Sequence, residues 1–123
     1  MTYNELMIQS LSDLLEGDEI LKFPIYGTLL QKNAHWFGFF GLTDTHLLVA
    51  LLKGSSKKIE WTSRVPLDVK AVKIKKSLLP FQYKVKIEFH EGLPCHLQVS
   101  KKSFGIKSQE ENILGFINYI QAV

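Results

Sequence analysis

The chain has a single cysteine, Cys95, so an internal disulfide framework is excluded. The opening segment "MTYNELMIQS" carries Glu5 and no basic residue. A secretory signal needs a positively charged start followed by an apolar run, so we expect none here. Together, the lone thiol and the missing signal favour a cytoplasmic protein, with membrane association as the alternative location.

No apolar run is long enough to cross a membrane as a helix. The most apolar stretch, Trp36 to Leu52, is shorter than the roughly 20 residues that a spanning helix needs. Asp44 and His46 also interrupt it, and an ionised Asp at the bilayer centre costs about 2.5–3.5 kcal/mol. The segment "GLTDTH" in its middle consists of residues that suit a turn. The stretch is therefore predicted to be two strands and a tight connection.

Motifs of catalysis and metal binding are also missing. The chain has no glycine-rich phosphate loop and no paired-carboxylate arrangement, and Asp44 with His46 lacks a nucleophile. Cys95 and His96 are neighbours on a predicted strand, so their side chains point to opposite faces. His90 could approach Cys95, but a zinc site needs three or four ligands. We therefore expect no catalytic residue, no metal and no cofactor, and the chain is not expected to be an enzyme.

What the sequence does contain is typical of a folded domain. Its 123 residues are 46% apolar and 22% charged, which fits one globular domain over residues 1–123. A helix is predicted over residues 4–15, where Thr2 and Glu5 have the spacing of a capping box and Gly17 is placed to end the helix. Its apolar stripe consists of Leu6, Met7, Leu11, Leu14 and Leu15. The stripe must pack on something, either the rest of the same chain or a second copy, and the first is favoured because connections are short.

Strand patterns fill the middle of the chain. Seven segments are rich in β-branched and aromatic residues and bounded by turn signals; they cover 19–31, 35–42, 46–53, 58–67, 69–76, 81–89 and 95–100. Pro24 and Gly27 are predicted to mark a bulge or an edge in the first, and "LLP" at 78–80 is predicted to break the fifth from the sixth. The sixth alternates strictly, which predicts an inward face of Phe81, Tyr83, Val85, Ile87 and Phe89.

A second helix closes the chain. Ser108 and Glu111 have capping-box spacing, and the apolar stripe that follows consists of Ile113, Phe116, Ile117 and Ile120. Because no helix lies between the strands, parallel crossover units are excluded and the sheet should be antiparallel. The predicted fold class is mainly β with flanking helices, and the sheet should curl into a small barrel that the second helix plugs at one end.

The chain resembles a bacterial pleckstrin-homology-like domain of the GRAM-related kind. Four pieces carry the resemblance: "LLEGDEIL" before the first strand, "GLTDTHLLVA" in the second hairpin, "SRVPLDVKAVKIKK" in the next strand pair, and the terminal helix. The resemblance implies a partly open seven-stranded antiparallel barrel with a C-terminal capping helix, and it leaves residues 1–16 as an additional N-terminal helix. It also implies a non-enzymatic interaction or scaffold module whose partner is unknown.

Positive charge is concentrated in the second half of the chain. Residues 1–52 carry a net charge of −4, residues 53–107 carry +9, and residues 108–123 carry −2. Four lysines stand at alternate positions of two neighbouring strands, namely Lys73, Lys75, Lys84 and Lys86. If the two strands form a hairpin, the four ammonium groups share one surface and attract anionic partners.

Three readings of these lysines remain open. They can be a solvated face that prevents edge-to-edge aggregation, or a contact for an acidic protein or an anionic phospholipid surface. Nucleic acid is not favoured, because Phe81 and Tyr83 alternate away from the lysines and could not stack on bases. Eukaryotic relatives of this fold bind phosphoinositides through a basic motif between the first two strands. This sequence has only Lys32 there and its single arginine, Arg64, elsewhere.

Overall fold

The computed structural model describes residues 1–77, 81–103 and 105–123. The predicted break at 78–80 lies outside the described residues. Two helices flank seven strands: α1 (Tyr3–Ser12), β1 (Lys22–Gln31), β2 (Ala34–Leu42), β3 (His46–Leu52), β4 (Ile59–Pro66), β5 (Val69–Lys76), β6 (Gln82–Phe89), β7 (Cys95–Ser100) and α2 (Gln109–Ala122). The most apolar stretch of the sequence is the β2–β3 hairpin, as predicted.

The seven strands form one antiparallel sheet in the order β4-β3-β2-β1-β7-β6-β5. β4 and β5 are therefore the two edges, although they are consecutive in the chain. The sheet curls around a core without closing, because its edge strands β4 and β5 do not pair with each other. This confirms the predicted mainly β fold with a partly open seven-stranded antiparallel barrel.

The barrel core contains the side chains that alternation and helical periodicity predict, with one exception. Tyr83, Val85 and Ile87 are buried, and Phe89 packs against them partly buried. All four predicted side chains of α2 are buried in the same cluster, namely Ile113, Phe116, Ile117 and Ile120. The prediction for Phe81 is wrong. Its side chain is 56% exposed, since β6 begins only at Gln82 and Phe81 has a positive φ that interrupts the alternation.

The start of α2 is fixed by a side chain other than the one predicted. Ser108 is in the left-handed region and makes no capping hydrogen bond, so the predicted second capping box is wrong. The buried side chain of Gln109 instead donates to the carbonyls of Tyr26 (2.7 Å) and Ser100 (3.2 Å) and accepts from the Tyr26 N–H (3.1 Å). These bonds tie the helix to β1 and β7 at one end of the barrel.

β1 bends where Pro24 was predicted to disturb it. The register with β2 shifts between Lys22 and Ile25. Gly27 is not part of this bulge. It lies where β7 approaches so closely that an added Cβ would come within 2.4 Å of the Val99 side chain. Glycine is used there for close packing between strands, not for a bend.

The helix α1 begins as predicted and ends earlier. The Thr2 hydroxyl accepts from the Glu5 N–H (3.1 Å), and the Glu5 carboxylate accepts from the Thr2 N–H (3.0 Å), which confirms the capping box. The helix ends at Ser12, not at Gly17. Leu14 and Leu15 donate to carbonyls three residues earlier, so the predicted last turn is a tighter one.

α1 covers the outer face of the sheet. Met7 and Leu11 are buried in a second apolar cluster, against side chains of β2 and β3 that point away from the barrel interior: Phe39, Leu48, Ala50 and Leu52. The apolar stripe of α1 thus packs on its own chain, the alternative that the sequence favoured over a second copy. Among the described residues, no helix is both long and apolar enough to cross a membrane.

The single arginine fastens the connection between α1 and β1 to the edge strand β4. The Arg64 guanidinium donates to both carboxylate oxygens of Glu19, at 2.6 and 3.0 Å, and to the carbonyl of Leu14 at 2.8 Å. These hydrogen bonds from Arg64, with a backbone bond from Glu16, lower the pKa of Glu19 to about 2. Arg64 is therefore engaged in holding the fold together.

The packing of α1 gives a first prediction. Leu11→Ala should lower the free energy of unfolding by about 2–5 kcal/mol, because the side chain is fully buried and its removal leaves a cavity. The control is Ile8→Ala on the same helix, where the side chain is 40% exposed and the expected loss is about 0.5 kcal/mol. Urea unfolding of both variants measures the difference. Equal losses would show that α1 does not pack on the sheet.

The Arg64–Glu19 contact gives a second prediction, on pH. Because the folded pKa of Glu19 lies below its ordinary value of 4.5, the contact stabilises the fold fully above that value and progressively less as the pH falls to about 2. Arg64→Gln should therefore lower the melting temperature at neutral pH, and the deficit should shrink in acid. It should not vanish, because the bond to Leu14 does not titrate.

The control for this experiment is Glu16→Gln, which removes a second carboxylate near Arg64. The Glu16 side chain is 73% exposed and lies 3.4 Å from the guanidinium, so its loss should matter little. Thermal melts of both variants from neutral pH down to about pH 2 make the comparison. A deficit of Arg64→Gln that stays constant over this range would contradict the assignment.

Candidate functional site

The four predicted lysines form one surface, here called the lysine surface: Lys73, Lys75, Lys84 and Lys86. In the β5–β6 hairpin, Lys73 pairs with Lys86 and Lys75 pairs with Lys84. Side chains that are directly opposite on neighbouring strands lie on the same face, about 5 Å apart at their Cβ atoms. This face is the outer one, since the alternating residues Val85 and Ile87 are buried in the core. The structure therefore brings together all four residues that the sequence singled out.

The charges of the lysine surface are only partly compensated. Glu88 lies 3.4 Å from the Lys86 ammonium and 3.9 Å from that of Lys73. Within the described ranges, neither Lys75 nor Lys84 has a carboxylate at ion-pair distance. Like charges directly opposite one another destabilise a sheet. The Lys75–Lys84 pair thus costs folding free energy that no ion pair among the described residues offsets.

The outer face continues from the lysines across the sheet. One row runs through Lys75, Lys84, Gln98, Thr28 and Phe37, each residue paired with the next. At about 4.8 Å per strand, this row spans roughly 19 Å. The Phe37 ring at its far end is 45% exposed. The row therefore joins a cationic side to an exposed aromatic side chain over five strands.

A parallel row passes through Lys73, Lys86, His96, Leu30 and His35. Between the two rows lies a shallow depression of about 170 Å³, lined by the four lysines together with Leu30 and His96. Neither helix covers it, since α1 packs on β2 and β3 and α2 packs at the end of the barrel. This face is free to meet a partner.

Asp44 and His46 have structural roles. The Thr43 hydroxyl bonds back to the turn by accepting from the N–H groups of Thr45 (3.2 Å) and His46 (2.9 Å). The Asp44 carboxylate is 77% exposed and pairs with Lys22. The Tyr119 hydroxyl donates to the Asp44 carbonyl at 3.0 Å, which ties the turn to α2.

Cys95 and His96 point to opposite faces, as predicted. Cys95 packs against the barrel core and His96 lies beside the lysine surface. Burial raises the pKa of the Cys95 thiol to about 12, so the thiolate is scarce at neutral pH and the residue is a poor nucleophile. Among the described residues, no three His, Cys, Asp or Glu side chains are grouped closely enough to hold a metal ion.

One feature of the structure was not predicted from the sequence. At the end of the barrel away from α2, a cavity of about 680 Å³ opens between the β1–β2 turn and the β6–β7 loop. The one local signal was Leu93, an apolar residue within the turn "HEGLP", whose side chain is 88% exposed. The cavity depends on how far the strands diverge in space, and strand patterns do not record that.

Comparison with known proteins supports the fold. No family model matches the chain, and no curated protein matches it by sequence. Among solved structures, it is similar to the hSac2 domain from the human phosphoinositide phosphatase Sac2, at 13% identity and a TM-score of 0.63 over 99% of this chain and 82% of that chain. Likeness at this identity concerns the fold, so the placement among bacterial GRAM-related domains stays a prediction. The chain has a pleckstrin-homology-like fold.

Proposed function

We propose that this chain is a non-enzymatic, cytoplasmic binding module whose lysine surface docks on the anionic headgroups of a phospholipid membrane. Domains of the pleckstrin-homology-like fold generally bind proteins or lipids, which supports the broad class. The similar solved domain comes from a phosphoinositide phosphatase, and a surface that faces lipid is compatible with that likeness.

The observation that carries the proposal is the position of Lys84 and Lys86. Lysines on an edge strand protect it from pairing with other molecules, and β5 is an edge, so this protection accounts for Lys73 and Lys75. β6 lies between β5 and β7 and has no free edge. Protection against aggregation does not explain why Lys84 and Lys86 stand opposite the first two. An anionic partner explains their position, because it would relieve the repulsion within the Lys73–Lys86 and Lys75–Lys84 pairs.

A membrane fits the face better than a single phosphate group does. The lysines lie on a broad face with a shallow depression, and the exposed Phe37 extends this face with an apolar ring suited to the boundary between headgroups and acyl chains. A specific phosphate site favours the forked guanidinium of arginine, and Arg64 is engaged with Glu19. The proposed contact is therefore electrostatic and selects charge density, not one headgroup.

Nucleic acid does not enter the proposal. The exposed Phe81 ring lies under the Lys101 ammonium, 5.8 Å from it, and not on the lysine surface. Tyr83 is buried, and the exposed Phe37 lies at the opposite end of the row from Lys75. A strand of bases needs a series of stacking rings along its cationic track.

The proposal predicts a loss of membrane binding without a loss of fold. Changing Lys73, Lys75, Lys84 and Lys86 together to Gln should weaken binding to phosphatidylserine-containing vesicles by about 1 kcal/mol per lysine at low salt. Thermal stability should be unchanged or slightly raised, since the substitutions remove repulsion. Vesicle co-sedimentation at two salt concentrations measures the binding, and added salt should weaken the binding of the parent protein.

A matched variant separates the position of the charge from its amount. Changing the exposed lysines Lys53, Lys58, Lys102 and Lys107 to Gln removes the same charge elsewhere and should preserve most of the binding. If both quadruple variants bind like the parent, or both lose binding equally, the lysine surface is not the membrane contact. If the parent protein does not co-sediment with anionic vesicles at all, the lipid proposal is overturned. An acidic protein is then the partner to seek.

A further inference from the structure

The cavity opposite α2, here called the mouth cavity, has the size and lining of a ligand site. Its volume of about 680 Å³ falls within the roughly 300–1,000 Å³ of small-molecule pockets. Six apolar side chains from the inner face of the sheet line it: Leu29, Leu47, Val49, Leu51, Val65 and Phe89. The accessible part of this wall is supplied by Leu29, Val65 and Phe89, which are only partly buried, whereas Leu47, Val49 and Leu51 are buried.

The fold explains why the cavity stays open. α2 fills only the other end, where Gln109 and Tyr119 fix it to β1 and to the β2–β3 turn. At the mouth, the edge strands β4 and β5 do not pair, and β1 leaves β7 beyond Leu30. At this end the inner-face side chains of Leu29, Val65 and Phe89 are therefore only partly buried.

The rim of the cavity is cationic. Lys32, on the β1–β2 turn, lines it, and none of the described lining residues is acidic. Leu30 and His96 line both the mouth cavity and the depression within the lysine surface. An apolar interior thus adjoins positive charge on two sides. This combination is complementary to an apolar chain that ends in an anion.

We propose that the mouth cavity binds the acyl chain of a single-chain anionic amphiphile, with its carboxylate or phosphate head at Lys32 and the adjoining lysine surface. The acyl chain would lie against the partly buried Leu29, Val65 and Phe89 and displace water from them. This site goes beyond membrane docking, because it takes one molecule from solution and needs no bilayer. The two proposals can therefore fail separately.

Two tryptophans serve as reporters. Trp36 pairs with the cavity-lining Leu29, and Trp61 pairs with Leu51, so both indoles stand on the inner face beside the cavity. Trp61 is 59% exposed. Titration of the full chain with dodecanoate, below its micelle-forming concentration and without vesicles, should shift the tryptophan emission to shorter wavelength. The change should saturate at one ligand per chain, as calorimetry can confirm.

Substitutions on one strand locate the site. Ser63 lines the cavity, and Ser63→Phe should fill it and weaken dodecanoate binding by about tenfold or more. Thr62 is also exposed but belongs to the opposite face, so Thr62→Phe is the matched control and should bind like the parent. Thermal melts of both variants establish that they fold. If Ser63→Phe and Thr62→Phe bind alike, the proposal is overturned.

Charge is tested with a second pair of variants and a second probe. Lys32→Gln should weaken dodecanoate binding by about two- to fivefold, whereas the exposed Lys53→Gln should not. Dodecyltrimethylammonium has the same chain with a cationic head and should bind far more weakly. Equal binding of the two probes, or an unsaturable signal with dodecanoate, would overturn the assignment. Binding to anionic vesicles without binding of dodecanoate would leave membrane docking intact and refute the cavity site alone.

Discussion

The fold depends on a hairpin that is apolar on both of its faces. In β2 and β3, Phe40, Leu47 and Val49 point into the barrel, while Phe39, Leu48 and Ala50 point out of it, and all six are buried. A sheet with two apolar faces must be covered twice. The curled sheet and α2 cover the inner face, and α1 covers the outer one. The N-terminal helix is therefore needed by the sequence of β2 and β3, although the family resemblance left it as an addition.

The same constraint decides where a partner can bind. Since α1 is held over β2 and β3, partly through the contact of Arg64 with Glu19, it leaves the outer face of β5, β6 and β7 bare. Those strands must then be apolar inside and polar outside, which is the alternation seen from Gln82 to Phe89. The polar face could have carried any mixture of charges. It carries four lysines and one glutamate, so its charge is a property of this sequence and not a requirement of the fold.

Whether a feature of the fold could be predicted from the sequence depends on how far apart in the chain its interacting residues lie. The lysine surface was predictable because β5 and β6 are neighbours in the chain and each alternates with a period of two residues. The β2–β3 hairpin was predictable because its two apolar strands also follow one another in the chain, with turn residues between them. The prediction that Phe81 faces inward was wrong because the alternation of β6 was extended by one residue beyond the start of that strand. The capping box predicted at Ser108 was wrong because the start of α2 is anchored instead by the Gln109 side chain. Its partners Tyr26 and Ser100 are brought near it only by the folded barrel.

The mouth cavity is the feature that the sequence predicts least well. It arises because the two ends of the barrel differ. One end receives α2, whose Asn112 amide donates to the Pro24 carbonyl at 3.0 Å and whose Tyr119 reaches Asp44. Of the two helices in the described residues, α1 is already used on the outer face, so neither is left to fill the other end. The inner face of the sheet therefore ends there at an opening, where Leu29, Val65 and Phe89 are only partly buried. The need to cover both faces of one hairpin thus fixes both the free lysine surface and the open cavity beside it.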